Sequence, residues 1–282
     1  MDIEKKPDQS QIHCLNCGTP VSNSYCHNCG QRVRDNLDRS LGKLLGEFLG
    51  NIFFLDNRFF VSVIYLIRFP ARMTVEFLGG KRKKFISPVT LFLFFNLIYF
   101  FVNPLTDYSL SLEDQLYWQP YSQWTKAWVD VKFEEEGLNL QDYAITYQNM
   151  SDQISKSVMI INIPIIALFV YLITFKKRRY YFDNLIYSFH FFSFYMLSWI
   201  MLGWVGSLAE ILSGDPNSML VGIIFNLFVT IIPFLYAIVS IKNFMNIRWY
   251  WSIPAGLGAM IAVLISNLIY RFLIFILTYW TT

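Results

Sequence analysis

The chain has 282 residues, of which 55% are hydrophobic and 18% aromatic while only 15% are charged. Ordinary globular domains carry about 25% charged residues, so this balance argues against a soluble protein and for one that crosses a bilayer several times. A net charge of +3 is too small to make nucleic acid the partner of the whole chain; the division of charge along the sequence is more informative.

Residues 1–36 are polar and contain no apolar signal-peptide core, so the amino terminus is expected in the cytosol. All four cysteines lie here, as Cys14-x2-Cys17-Gly18 and Cys26-x2-Cys29-Gly30. Two thiolates at this spacing reach one tetrahedral ion and a second pair closes the site, the usual arrangement for structural Zn2+. The glycine after each pair permits the positive φ that turns backbone N–H groups toward the sulfurs. So short a segment cannot bury a core, and metal binding must supply its folding free energy, about 10–16 kcal/mol for such sites. In a reducing cytosol the cysteines are expected as zinc thiolates rather than disulfides. The competing reading is a redox sensor, in which they exchange zinc for disulfides.

Residues 37–85 read as cytoplasmic amphipathic and interfacial helices. Leu37, Leu41, Leu44, Leu45, Phe48, Leu49, Ile52 and Phe53 recur at helical spacing, with Arg39, Lys43 and Glu47 on the other side. Gly42, Gly46 and Gly50 form a small-residue stripe, suited either to a close helix crossing or to a headgroup surface. Phe59 to Phe69 is an apolar run too short to span, ended by Pro70, and fits an interfacial or re-entrant helix.

Residues 86–282 hold five apolar stretches near the length of about 20 residues that a helical crossing needs. They are Ile86 to Val102, Ser157 to Phe175, Leu185 to Leu212, Met219 to Ile241 and Tyr250 to Tyr279. Lys81, Arg82, Lys83 and Lys84 precede the first; Lys176, Lys177, Arg178 and Arg179 follow the second; Lys242 and Arg248 separate the last two. Five crossings put all three clusters on one side, which the positive-inside rule makes cytoplasmic, with the carboxyl terminus outside. The loop 104–156 is acidic and belongs to the other side. Within it Tyr121, Trp124 and Trp128 share a helical face just after Tyr117 and Trp118, fitting a helix that lies on the outer leaflet or one that packs on the bundle.

Ionisable groups inside a span are costly and are functional candidates. His190 lies near the inner end of the third span, Glu210 near its outer end and Arg271 in the outer half of the fifth. Glu210 and Arg271 share a level, so an ion pair with Asn226 and Asn267 beside it is the expected polar cluster, the alternative being that each charge snorkels to the interface. Pro164, Pro233 and Pro254 sit in or beside spans, where they break helices in transporters or merely kink them. The chain has no phosphate-cradling glycine loop, no His-Glu-x2-His pair and no Gly-x-Ser-x-Gly elbow, and no enzymatic activity is expected.

The run Arg68-Phe69-Pro70, Glu76-Phe77-Leu78-Gly79-Gly80-Lys81-Arg82 and Phe85-Ile86-Ser87-Pro88, preceded by the Cys14 to Gln31 knuckles, resembles the bacterial membrane family known as domain of unknown function 3667. The resemblance implies a multi-pass bacterial membrane protein with an amino-terminal zinc ribbon and implies no particular activity. The expected fold is therefore an all-α integral membrane protein with about five transmembrane helices, cytoplasmic interfacial helices and a small zinc ribbon, in the bacterial cytoplasmic membrane. Its expected role is an adaptor or accessory subunit whose ribbon docks a protein or ribonucleoprotein. The basic residues Arg32, Arg34, Arg39, Lys81, Arg82, Lys83 and Lys84 would face that partner or the anionic lipid surface. A small-molecule transporter or channel with its polar site among spans three to five is the alternative.

Overall fold

A computed structural model describes residues 12–32, 57–102, 110–137, 139–175, 180–215 and 219–282. The amphipathic stretch Leu37 to Phe53, with its glycine stripe, and the basic residues Arg34, Arg39, Lys176, Lys177, Arg178 and Arg179 lie outside these residues. The ribbon contributes two short antiparallel strands, β1 (Ile12–His13) and β2 (Pro20–Val21). The other elements are all helical.

α1 (Asn57–Arg68) buries Ser62 and Leu66 on one side and leaves Phe60, Ile64 and Ile67 exposed on the other. The described part of this helix thus turns an apolar face away from the protein. Pro70 stops it, and Ala71 adopts φ 62°, an unusual left-handed conformation for a residue with a Cβ. The reversal is held by Asn243, whose Nδ2 donates to the Pro70 carbonyl at 3.1 Å. α2 (Arg72–Leu78) follows and ends at Gly79 and Gly80.

The membrane body consists of α3 (Pro88–Val102), α6 (Leu140–Val158) continued through one 3-10 turn (Met159–Ile161) into α7 (Asn162–Thr174), α8 (Tyr181–Ser213), α9 (Met219–Asn226) continued through a π turn (Leu227–Ile231) into α10 (Ile232–Met245), and α11 (Trp249–Thr281). Among the described residues four continuous helices are long and apolar enough to cross a bilayer: Leu140–Thr174, Tyr181–Ser213, Met219–Met245 and Trp249–Thr281. The apolar helix at Pro88 is shorter, yet it carries the chain from one end of the bundle to the other. Near its start the Ile86 N–H donates to Ser62 Oγ at 3.0 Å, and further along Asn96 Nδ2 donates to the Lys156 carbonyl at 3.2 Å. The π turn has a local cause: Pro233 brings no N–H to the preceding turn, and the helix widens there to accommodate the loss.

α8 is the central helix, packed on α3, α7, α9 and α10. Its first half, Asp183 to Met196, is buried without interruption, and aromatic rings fill its contacts. Phe194 stacks on Tyr236 with centroids 3.6 Å apart, and Tyr187 stacks on Phe244 at 4.8 Å. α11 comes close to its neighbours by omitting side chains. A Cβ placed on Gly256 would lie 2.6 Å from Ile238 Cγ1, and one on Gly258 would lie 2.7 Å from Ile173 Cδ1. Small residues at helix crossings are how bilayer helices gain packing contact when no hydrophobic driving force separates protein from lipid.

The acidic segment forms a cap on the last turns of α11, from α4 (Leu112–Tyr117), α5 (Ser122–Glu136) and α6. Ser111 caps α4 by accepting from the Asp114 N–H, Gly137 ends α5 at φ 62°, and Asn139 Oδ1 caps α6 by accepting from the Gln141 N–H. The aromatic face meets the bundle in part. Tyr121 and Trp128 lie against Phe272 with ring centroids 4.9 and 6.3 Å apart, and Trp128 also meets Phe275 and Tyr279. Tyr117, Trp118 and Trp124 stay largely exposed.

The hydrogen bonds sort the molecule into two ends. α2 meets the start of α8 and the end of α10 through Thr74 with His190 and Asn243 with Pro70. Lys81 to Lys84, Lys242 and Arg248 are therefore at one end. The acidic cap sits at the other, where Tyr270 donates to the Ser155 carbonyl and Lys132 to that of Tyr279.

Candidate metal centre and its dock

The two knuckles repeat one backbone pattern. In the first, the Cys14 N–H donates to the Thr19 carbonyl at 2.9 Å and the Gly18 N–H to that of Cys14 at 2.7 Å; in the second, Cys26 donates to Gln31 and Gly30 to Cys26, both at 2.8 Å. Gly18 and Gly30 take φ 75° and 68°, as expected from their place after each cysteine pair. The four Sγ atoms lie within 4.8 Å of one another, with Cys14 to Cys29 and Cys17 to Cys26 each at 3.5 Å. Sulfurs at about 2.3 Å from a tetrahedral ion are about 3.8 Å apart, so the thiols fit a single metal ion. Their surroundings differ. Thr19, through its hydroxyl and its backbone, pulls the exposed Cys17 thiol down to about 6, while burial pushes Cys29 up to about 12.

The ribbon is attached to the helical body by Gln31, the residue after the second knuckle. Its Nε2 donates to the Gly80 carbonyl at 2.6 Å, its Oε1 accepts from the Lys83 N–H at 3.4 Å, and the residue is only 4% exposed. Gly80 has φ 100°, a conformation closed to other residues without strain, and this turns its carbonyl toward the ribbon. The glycine pair read from sequence thus has a structural reason.

Glu76 organises the basic run behind this loop. Its carboxylate accepts from Lys84 at 2.6 Å and from Arg72 at 3.1 Å, with Lys81 at 3.7 Å. Burial alone would raise the Glu76 carboxyl, but the hydrogen bonds from Lys84 and Arg72, with the charges of Lys84 and Lys81, hold it below the ordinary carboxylate value. Burial likewise works against the Lys84 ammonium, and the bonds to Glu76 and to the Tyr65 hydroxyl at 2.7 Å outweigh it and raise Lys84. Lys84 also lies over the Tyr65 ring at 4.1 Å, and Arg82 over Phe77 at 5.6 Å. The four expected basic residues of this loop are therefore not equivalent: Lys83 is exposed, whereas Lys81, Arg82 and Lys84 are half-buried. Arg32 is exposed beside the knuckle, in a bridge with Tyr25.

The expected intramembrane cluster is not assembled. Glu210 and Asn226 are exposed, and among the described residues Asn226 Nδ2 donates to the Gly222 carbonyl within its own helix. Arg271 lies on α11 at the cap, where its carbonyl accepts from Gln115 Nε2 at 3.5 Å; its charge lies beside Tyr121, whose hydroxyl burial raises all the same. Asn267 Oδ1 is buried and finds no hydrogen-bond partner among the described residues. α8 and α11 pack mainly on other helices rather than on each other, so matching depth did not bring Glu210 to Arg271. His190 is buried against Thr74, at 2.8 Å through Nδ1, and against the Phe77 ring.

Gln31 and Glu76 carry this site, although neither was singled out as a site residue from sequence. The signals were present as a polar side chain directly after a knuckle and a lone carboxylate within a basic run.

A four-cysteine metal knuckle docked on a multi-pass helical membrane body is the class of protein these features define. Residues 56–100 match the sequence model of the family described as "Protein of unknown function (DUF3667)", which bears out the resemblance read from the glycine-lysine-arginine run. The matched segment holds α1, α2, the Gly80 loop and most of α3, the surface on which the ribbon is docked. No curated protein and no solved structure matches the chain.

Proposed function

We propose that the chain is a membrane-anchored adaptor that holds a zinc ribbon at the cytoplasmic face of a bacterial inner membrane to dock a protein partner. The observation that carries this reading is the contrast between the two sides of the ribbon. Gln31 fixes one side to the body, while Ile12, Leu15 and Tyr25 are exposed. Large apolar side chains on a small, rigid, metal-held unit suit a partner's surface.

An all-thiolate donor set favours zinc over harder divalent ions. The shared end of Lys81 to Lys84, Lys242 and Arg248 supports a cytoplasmic ribbon and amino terminus, with the acidic cap and carboxyl terminus outside. At that face the exposed Lys83 and Arg32 add attraction for anionic lipid headgroups.

The test is affinity capture from mild detergent with three proteins: wild type, Cys14→Ser/Cys17→Ser, and Leu15→Ser/Tyr25→Ser, with nuclease treatment as a further arm. A protein captured by wild type and lost from both variants, with nuclease having no effect, supports the adaptor. Identical capture by all three, or capture abolished by nuclease, overturns it.

A further inference from the structure

We propose that Gln31 is a metal-dependent latch, through which occupancy of the cysteine site controls the conformation of the basic loop 79–84. The proposal rests on the metal-centre reading and adds its regulatory consequence.

Two sets of bonds meet on this residue. Its backbone carbonyl accepts the Cys26 N–H, a bond inside the second knuckle that exists only while the knuckle is folded. Its side-chain amide bonds both ways to the loop, giving a proton to the Gly80 carbonyl and taking one from the Lys83 N–H. These partners are 49 and 52 residues away in sequence. A primary amide both donates and accepts in one plane, which suits it to bond two backbone groups at once. Glutamate at this position would accept only, and leucine would do neither.

The loop is poised to respond. Its own backbone bonds among the described residues are Gly79 N–H to the Val75 carbonyl, Gly80 to Phe77, Lys81 to Glu76, and Arg82 to Gly80. Lys83 spends its N–H on Gln31. Sixteen residues span the metal site from Cys14 to Cys29, and a unit of this size does not stay folded without its ion. Loss of the metal therefore unfolds the knuckle, withdraws Gln31, and leaves the Gly80 carbonyl and the Lys83 amide to water. Glu76 continues to hold Lys84 and Arg72, so the change is confined to the stretch at Gly80 to Lys83, where the exposed Lys83 stands beside the ribbon.

The experiment is hydrogen exchange read by mass spectrometry on the full-length protein in lipid nanodiscs, following a peptide across residues 79–84, with metal content measured by elemental analysis of each sample. Wild-type protein carrying one metal per four thiols is expected to protect this peptide, and chelation to speed its exchange about tenfold, the effect of losing one or two backbone bonds worth about 1 kcal/mol each. Gln31→Leu is expected to exchange as fast as the chelated wild type while keeping its metal, with no further rise on chelation, and Gln31→Glu, which can still accept from the Lys83 N–H, to fall between Gln31→Leu and the metal-bound wild type. An unchanged loop after chelation of the wild type overturns the latch. So does a Gln31→Leu protein in which chelation still produces the full rise. Wild-type protein with no bound metal overturns the metal-centre reading itself, an outcome that elemental analysis separates from failure of the latch.

Discussion

Thr74 Oγ1 lies 2.8 Å from His190 Nδ1, joining α2 to the central helix α8 across 116 residues of sequence. Both groups are buried, and His190 Nε2 has no hydrogen-bond partner among the described residues, so this is the bond on which the imidazole depends. Thr74→Val keeps the shape and removes the partner. It is expected to destabilise the protein by about 1–3 kcal/mol, the cost of a buried polar group left unsatisfied. Thr74→Val/His190→Phe should recover much of that loss, because neither position then buries an unmet polar atom. Thermal unfolding of the four proteins in detergent, arranged as a double-mutant cycle, measures the coupling; additive single effects would count against it.

Gly256 is where α11 touches the backbone of α10. An added Cβ would stand 2.6 Å from Ile238 Cγ1 and 3.0 Å from its Cα and N. Gly256→Leu is expected to cost about 1–3 kcal/mol or more by overpacking, seen as a lowered unfolding temperature in detergent. Gly222→Leu, where nothing lies within 4 Å of an added Cβ, should leave the temperature nearly unchanged.

Glu76 makes the dock sensitive to acid. The groups facing it are Arg72, Lys81 and Lys84, with Tyr65 sharing Lys84. Because its folded pKa is depressed, its contribution is complete above the unfolded value of about 4.3 and disappears as pH falls through the folded value. Unfolding temperature should therefore decline more steeply below about pH 4 in the wild type than in Glu76→Gln. The variant should already be weaker at pH 7. Parallel pH curves for the two proteins would refute the assignment.

Chelation should expose the thiols without melting the body. Maleimide labelling is expected to rise to all four cysteines, the buried Cys14 and Cys26 included. The helical circular dichroism should stay nearly constant, since the ribbon contains no helix among its described residues. A large helical loss on chelation would mean that the metal supports the membrane body as well.

The legible parts of this chain were those written in local pattern. The knuckles were specified by cysteine spacing and glycine position, and the long helices by apolar length. Their ends differ by a few residues from those expected, as at α8, which begins at Tyr181 rather than Leu185. Contacts between distant segments were harder to read. Glu210 and Arg271 could be placed at one depth by counting, but counting gives no azimuth, and their helices face different neighbours. The Gln31 bond was hidden for another reason: its partners are backbone groups, which leave no side-chain signature. Only Gly80 marks the place, through a φ that other residues resist. The small residues of α11 were also readable at Gly256 and Gly258, although the stripe singled out from sequence was Gly42, Gly46 and Gly50.

The fifteen-residue helix α3 also bears on the lipid around it. Over its described residues, Pro88–Val102, it rises about 22 Å at 1.5 Å per residue. Its outward residues Leu97 and Phe101 are exposed. Both therefore face away from the protein, where a bilayer presents acyl chains. A charge placed at either position would have no protein partner to shield it from lipid, so this flank tolerates a change of apolar shape and resists a change of polarity.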